Sequence, residues 1–276
     1  MKEYSVNGLT LLKSKDETYL WVKKADAGIR EAVIPSQLDG IPVNAVGEEA
    51  FSGCKLLKKV TFPEGITDIG LDAFEGCTSI CEVHVRDIAD YCRITFWNAQ
   101  SSPVAVSKNA VLYVSGKPLT EAVLPDGITE IKAYAFSGCS SVRTVRIPDS
   151  VTYVGREAFF ECTSLTGVVL PDSITFIGDT AFGGCTSLSD VTLPSGITAI
   201  KDLTFCDCPG LTAVSIPNSV HTIGNRAFYY CTGLKKVKLP CGLVHIGNQA
   251  FAKCSLLELP KLPNSVQSLG IEVFGE

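Results

Sequence analysis

Seven phenylalanines, Phe136, Phe159, Phe182, Phe205, Phe228, Phe251 and Phe274, stand 23 residues apart, and Phe51 and Phe74 keep the same interval nearer the N-terminus. A fixed period of this length dictates a stack of similar short units. Two further columns run with it. Prolines occupy Pro125, Pro148, Pro171, Pro194, Pro217, Pro240 and Pro263. Cysteines follow three residues after all but the last Phe, at Cys54, Cys77, Cys139, Cys162, Cys185, Cys208, Cys231 and Cys254.

One copy, Pro171 to Leu193, reads PDSITFIGDTAFGGCTSLSDVTL. It has too few apolar side chains to bury a core alone, so stacked copies must share one. Leu188-x-x-Val191-x-Leu193 alternates like a short strand and is closed by Pro194, where a ladder donor is lost. Ile174-Thr-x-Ile177-Gly178 reads as a second extended piece ending in a turn. Between them, Asp179 to Cys185 is short enough for one helical or 3₁₀ turn that drops Phe182 into the core. Identical strands in successive copies pair in parallel, about 4.8 Å apart. The expected architecture is therefore a strand-rich α/β repeat solenoid with short helical or 3₁₀ turns.

Leu188-x-x-Val191-x-Leu193 looks like the strand signature of leucine-rich repeats. The whole unit, from proline through Ile-Gly, Ala-Phe, Cys and Leu, resembles the BspA-like leucine-rich repeats of bacterial and some protozoan surface proteins. The resemblance covers nearly the whole chain. It implies a right-handed leucine-rich-repeat superhelix with its parallel sheet on the concave face. It also implies a non-enzymatic scaffold that binds a protein or host-surface partner, possible adhesion included, at the cell surface or after secretion. The alternative function is a structural spacer or display stalk with no ligand of its own.

One period through 276 residues predicts a single elongated domain. Residues 1–30 depart from it, and Tyr4–Val6 and Tyr19–Val22 alternate like the strands of a capping hairpin. First repeats fill 31–85. Pro35 to Pro63 spans 28 residues, five over the period, so Leu38–Pro42 is expected to bulge as a loop. Residues 86–124 form an irregular turn: 86–93 suit a short helix, Trp97 falls one period after Phe74, and 110–124 read as an inserted hairpin. That insertion is either an embellished turn or a binding protrusion. Regular repeats fill 125–276. The N-terminus lacks the apolar run of a signal peptide, and no stretch approaches a membrane span. No Asn-x-Ser/Thr sequon or Leu-Pro-x-Thr-Gly motif is present.

The net charge of −5 gives no reason to propose nucleic acid or an anionic membrane as partner, and the lack of a long apolar stretch argues against membrane insertion. Of twelve cysteines, eight sit in the repeat column, which makes them small buried hydrophobes with free thiols. The cluster Cys77, Cys81 and His84 has soft ligands, but Cys77 belongs to the core column while His84 faces outward, so it does not converge on a metal. Neither nucleophile nor phosphate-loop motifs occur. No catalytic residue, cofactor or metal is assigned.

Two candidate binding surfaces remain. In leucine-rich repeats the strand side chains between core positions face solvent. Here these are Lys59, Thr61, Glu82, His84, Thr144, Arg146, Val169, Asp190, Thr192, Ser215, Lys236, Lys238 and Lys261. They vary while the core columns stay constant, which suits ligand reading and solubility equally. Lysines make the C-terminal end basic. The second surface is an aromatic edge: Tyr153 and Phe176 should stack on adjacent turns, with Tyr229 and Tyr230 at a corner.

Overall fold

The computed structural model describes residues 3–275. The chain groups into two compact units. One holds the residues up to Leu119 with Lys132–Ser140; the other holds Thr120–Ile131 and the chain from Ser141 onward.

In the second unit each copy supplies two short strands to two separate parallel sheets. Glu121–Val123, Thr144–Arg146, Gly167–Val169 and Asp190–Thr192 form one sheet, each strand paired with the next at the repeat interval. Ala213–Ser215 and Lys236–Lys238 form a further pair. The other ladder consists of two-residue strands, Glu130–Ile131, Tyr153–Val154 and Phe176–Ile177, then Ala199–Ile200, Thr222–Ile223, His245–Ile246 and Ser268–Leu269. Burial alternates as the sequence requires: Val145, Val168, Val191, Val214 and Val237 point inward while their strand neighbours face outward.

The rings of Phe159, Phe182, Phe205, Phe228, Phe251 and Phe274 form a continuous stack. Successive centroids lie 5.2–5.5 Å apart and the planes are within 11° of parallel. Beside it runs the cysteine column. Cys185, Cys208 and Cys231 are buried, and each thiol donates to the carbonyl of the Phe in the copy before, Phe159, Phe182 and Phe205, at 3.0–3.2 Å. The Phe159 and Phe182 carbonyls also accept the amide of their own copy's cysteine, Cys162 and Cys185. Both lone pairs of a buried oxygen are thus used, and cysteine supplies a donor that alanine or valine would lack.

The Phe-bearing segment is not the helical or 3₁₀ turn expected. It is a run of linked tight turns. Amides of Ala181, Gly183 and Cys185 bond three residues back within the copy, while those of Thr180, Phe182 and Gly184 bond forward to Asp202, Thr204 and Cys206 of the next copy at 2.8–3.0 Å. A helix would point all of them along the chain. What prevents it is backbone handedness: Thr180 (φ 57°) and Gly184 (φ 70°), two residues either side of Phe182, are left-handed. The same two columns are left-handed elsewhere, including Glu157, Glu161, Leu203, Asp207, Arg226 and Tyr230.

The glycine four residues before most of the column Phe residues is a spacing requirement. A Cβ on Gly178 would lie 2.6 Å from the Arg156 amide nitrogen, and one on Gly247 2.6 Å from that of Asn225. Lys132 takes this column before Phe136, in the first unit, and Lys201 takes it in the copy that holds Phe205. There, among the described residues, both ladders are interrupted: Phe176–Ile177 does not pair with Ala199–Ile200, nor Asp190–Thr192 with Ala213–Ser215. The amides of Gly178 and Gly224 bond to Val154 and Ile200, but no such bond joins Lys201 to Ile177. A side chain thus stands at the gap in the two-residue ladder, where neighbouring copies need bare backbone. The Phe stack and the forward amide bonds continue across it.

The first unit begins with three antiparallel strands, Glu3–Val6, Leu9–Lys13 and Leu20–Ala25, rather than the two-stranded cap expected. Asn7-Gly8, both left-handed (φ 51° and 75°), make the tight turn that brings in the extra strand. Leu20–Ala25 then pairs in parallel with Ile41–Val46, followed by Asp68–Ile69 and Thr95–Phe96. The expected Leu38–Pro42 loop is a hairpin, Gln37–Leu38 against Ile41–Val46, turning at Asp39-Gly40. A second sheet holds Glu31–Val33, Lys59–Thr61, Glu82–Val85, Val111–Val114 and Lys117–Pro118.

The helix expected in 86–93 is present as Ile88–Arg93, with the Asp87 side chain accepting the Asp90 amide at 2.8 Å. It displaces the register, because Thr95 pairs with Asp68 four positions later than the period places it. Trp97 therefore misses the Phe column and is 58% exposed. The slot falls to Ser101, fully buried, whose hydroxyl bonds the Gly70 carbonyl at 2.7 Å. The missing ring comes from the helix. Tyr91 is completely buried, 5.8 Å from Phe96 and 5.7 Å from Phe136 between centroids. The stretch 110–124 is not one hairpin. Val111–Val114 extends the parallel sheet beside Glu82–Val85 and turns back only as far as Lys117–Pro118.

Candidate functional site

The strand face of the second unit carries eight of the thirteen strand-face residues singled out by sequence. Thr144, Arg146, Val169, Asp190, Thr192, Ser215, Lys236 and Lys238 are all exposed, on strands whose central valines are buried. Cross-strand register sets Arg146 beside Val123 and Val169, so this cation stands between two exposed valines. Lys261 is exposed but belongs to no strand, contrary to expectation. Pro260 takes the strand-centre position of its copy and removes the amide a ladder needs.

The stacking expected of Tyr153 and Phe176 is present. Tyr153 and Phe176 pair across adjacent strands, and their rings stack at 4.7 Å and 1°. Tyr153 is 40% exposed, and the Lys201 ammonium lies 5.4 Å over the Phe176 ring. The lysine that interrupts the ladders thus caps the exposed aromatic pair. Tyr229 and Tyr230 lie elsewhere on this unit, 6.3 Å apart and tilted, with the Arg226 guanidinium 5.5 Å over Tyr229.

In the first unit the strand face brings together Lys59, Thr61, Glu82 and His84, all half-buried. The Glu82 carboxylate lies 2.8 Å from His84 Nε2 and 3.8 Å from Lys59 Nζ. Sequence reading missed Tyr113 here. Its ring stacks on His84 at 4.6 Å because Val111–Val114 continues the parallel ladder. The available signal was the alternation of residues 111–114, which matches that of 82–85. Cys77 sits in the core, its thiol on the Phe51 carbonyl at 3.0 Å, while His84 lies on the outer face. Cys81 and Cys241 are exposed.

These surfaces are carried by repeats that a family model recognises. The BspA-type leucine-rich repeat region matches residues 28–102, 105–212 and 154–276, with six copies. The chain belongs to the BspA-type leucine-rich repeat family. Among solved structures, this BspA-type chain is similar to a leucine-rich repeat protein from Eubacterium ventriosum, at 19% identity and a TM-score of 0.63 over 98% of this chain and 93% of that one. A leucine-rich repeat protein from Bacteroides ovatus matches at 21% identity and 0.59 over 98% of this chain; the chain spans 62% of that protein's length. At these identities the likeness is one of fold. No protein with a curated description matches.

Proposed function

We propose that this BspA-type repeat protein is a non-enzymatic scaffold at the cell surface or outside the cell, binding a protein partner through its exposed strand face. The three-residue strands would be the inner, concave face of a right-handed superhelix, as in the family it resembles. The observation that carries the reading is the contrast between columns. From Thr144–Arg146 to Lys236–Lys238 the inward residue is valine in every strand, whereas the outward positions range over Thr, Arg, Gly, Val, Asp, Ala, Ser and Lys. Packing does not call for that diversity. The stacked, exposed pair Tyr153 and Phe176 adds a rigid aromatic edge of the kind enriched at interfaces.

The test is a binding screen against extracellular-matrix and host proteins, with Lys236→Glu/Lys238→Glu and Tyr153→Ala/Phe176→Ala as controls. Saturable binding weakened by either pair supports the reading. Uniform failure to bind supports a spacer or display stalk instead.

A further inference from the structure

Gly167 is a glycine the fold does not ask for. It opens the strand Gly167–Val169 and is paired on both sides, with Thr144 of the strand before and Asp190 of the strand after. Its backbone is not left-handed. Apart from its chain neighbours, a Cβ placed there would meet one atom within 4 Å, the Asp190 carbonyl oxygen at 3.7 Å, an ordinary van der Waals distance. Gly178 and Gly247 have no such room. The other three-residue strands of this unit carry Glu121, Thr144, Asp190, Ala213 or Lys236 at the same position. Glycine within a strand costs conformational entropy and forgoes side-chain packing, and it often marks where something else comes close.

The surroundings of this bare peptide are chemically mixed. Gly167–Val169 is the third strand of a four-stranded sheet, so the dent lies inside the sheet and owes nothing to an open edge. Val169, two residues on and 73% exposed, gives it an apolar wall. Arg146 stands beside Val169 and diagonal to Gly167, with the exposed Val123 on its other side. Asp190 flanks the dent from the following strand. Among the described residues neither Arg146 nor Asp190 forms an ion pair.

We propose that Gly167 marks a contact site where a polypeptide partner lays an aromatic side chain on the bare strand and sets a carboxylate on Arg146. The inference rests on the partner-binding reading above and names the partner's chemistry. A flat ring covers an uncovered strand peptide with large apolar contact, and Val169 receives its edge. A guanidinium takes a carboxylate through two parallel hydrogen bonds, and Val123 and Val169 keep water from that pair once the partner is seated. Diagonal positions on a sheet face lie ~7–8 Å apart, close to the ~7 Å between alternate side chains of an extended chain. The ring and the acid therefore stand two residues apart in the partner. Asp190 and Glu121 are exposed on the same face and repel a polyanion such as a nucleic-acid backbone or a sulfated polysaccharide.

The experiment has two arms. In the first, Gly167→Thr, which installs the residue that the neighbouring strand carries at 144, is melted beside the parent chain. Its melting temperature should rise by about 1–4 °C, because the fold gains a side chain for which it has room. An unchanged or lower value overturns the proposal, since the glycine would then cost the fold nothing. In the second, a displayed random-peptide library is selected on the folded full chain. One enriched peptide is synthesised and titrated by fluorescence anisotropy onto the parent, Gly167→Thr and Arg146→Glu, each shown to be folded by circular dichroism. Enriched peptides should carry Phe, Tyr or Trp two residues from Asp or Glu, and affinity should fall at least about tenfold on each variant. Enriched peptides without that pair, or insensitive to both variants, overturn this site while leaving partner binding intact. Heparin binding abolished by Arg146→Glu would make a polyanion the occupant, and self-association abolished by Gly167→Thr would make it a second copy; either overturns the proposal. An absence of any enriched family counts against the partner-binding reading itself and removes this site with it.

Discussion

Cys185 donates its thiol hydrogen to the carbonyl oxygen of Phe159 in the preceding copy, at 3.2 Å. The bond requires the protonated thiol, and burial guarantees it by pushing the Cys185 pKa from 9.0 up to about 12. A column read from sequence as small hydrophobes is also a column of hydrogen-bond donors.

The protein should accordingly be destabilised by alkali. An unfolded cysteine ionises near 9.0 while folded Cys185 and Cys139 hold their protons to about 12. The unfolded state then binds fewer protons, so stability is fully present below pH 9 and is lost as pH rises toward 12. The slope approaches ~1.4 kcal/mol per pH unit for each such thiol. Urea melts across that range measure it, and a flat profile would contradict the burial. At neutral pH a thiol reagent should label Cys81 and Cys241 first.

Removing the donor should cost stability without unfolding the protein. Cys185→Ala is expected to lose about 1–3 kcal/mol, from one hydrogen bond and a small void. Equilibrium denaturation reads this directly.

Phe182→Ala should cost about 3–5 kcal/mol, because the ring is fully buried between those of Phe159 and Phe205. A change within about 0.5 kcal/mol would place the ring outside the core.

Tyr91 and Trp97 give opposite expectations. Tyr91→Ala removes the ring that fills the core beside Phe136 and should cost about 3–5 kcal/mol. Trp97→Ala removes a largely exposed side chain and should stay within about 0.5 kcal/mol. Thermal or urea melts of the two variants decide between them.

Hydrogen exchange should detect the interrupted ladder. The Lys201 amide is expected to exchange at least about tenfold faster than those of Gly178 and Gly224, which bond to Val154 and Ile200. In Lys201→Gly the difference should shrink as the copies close up.

The Phe, Pro and Cys columns carried the architecture because each repeats a physical demand: a ring for the core, a strand stop, a small buried donor. The outward strand positions were equally legible, since alternation follows from the pleat. The Trp97 register was not. A helix rises only ~1.5 Å per residue against ~3.3 Å for a strand, so Ile88–Arg93 absorbs residues without advancing the path, and counting by the period lands on the wrong ring. The linked turns around Phe182 were hidden because left-handed backbone usually announces itself through glycine, whereas here Thr180, Leu203 and Arg226 adopt it. Lys201 was a visible departure, but its effect on the ladder depends on interatomic distances. Tyr113 escaped because its strand looked local and proved to be one more rung.

The forward bonding of alternate amides gives every regular copy one donating and one accepting side of identical spacing. A gene encoding such copies can therefore gain or lose a whole cassette and still yield surfaces that mate. Insertions of any other length break the match unless, like Ile88–Arg93, they coil up the surplus.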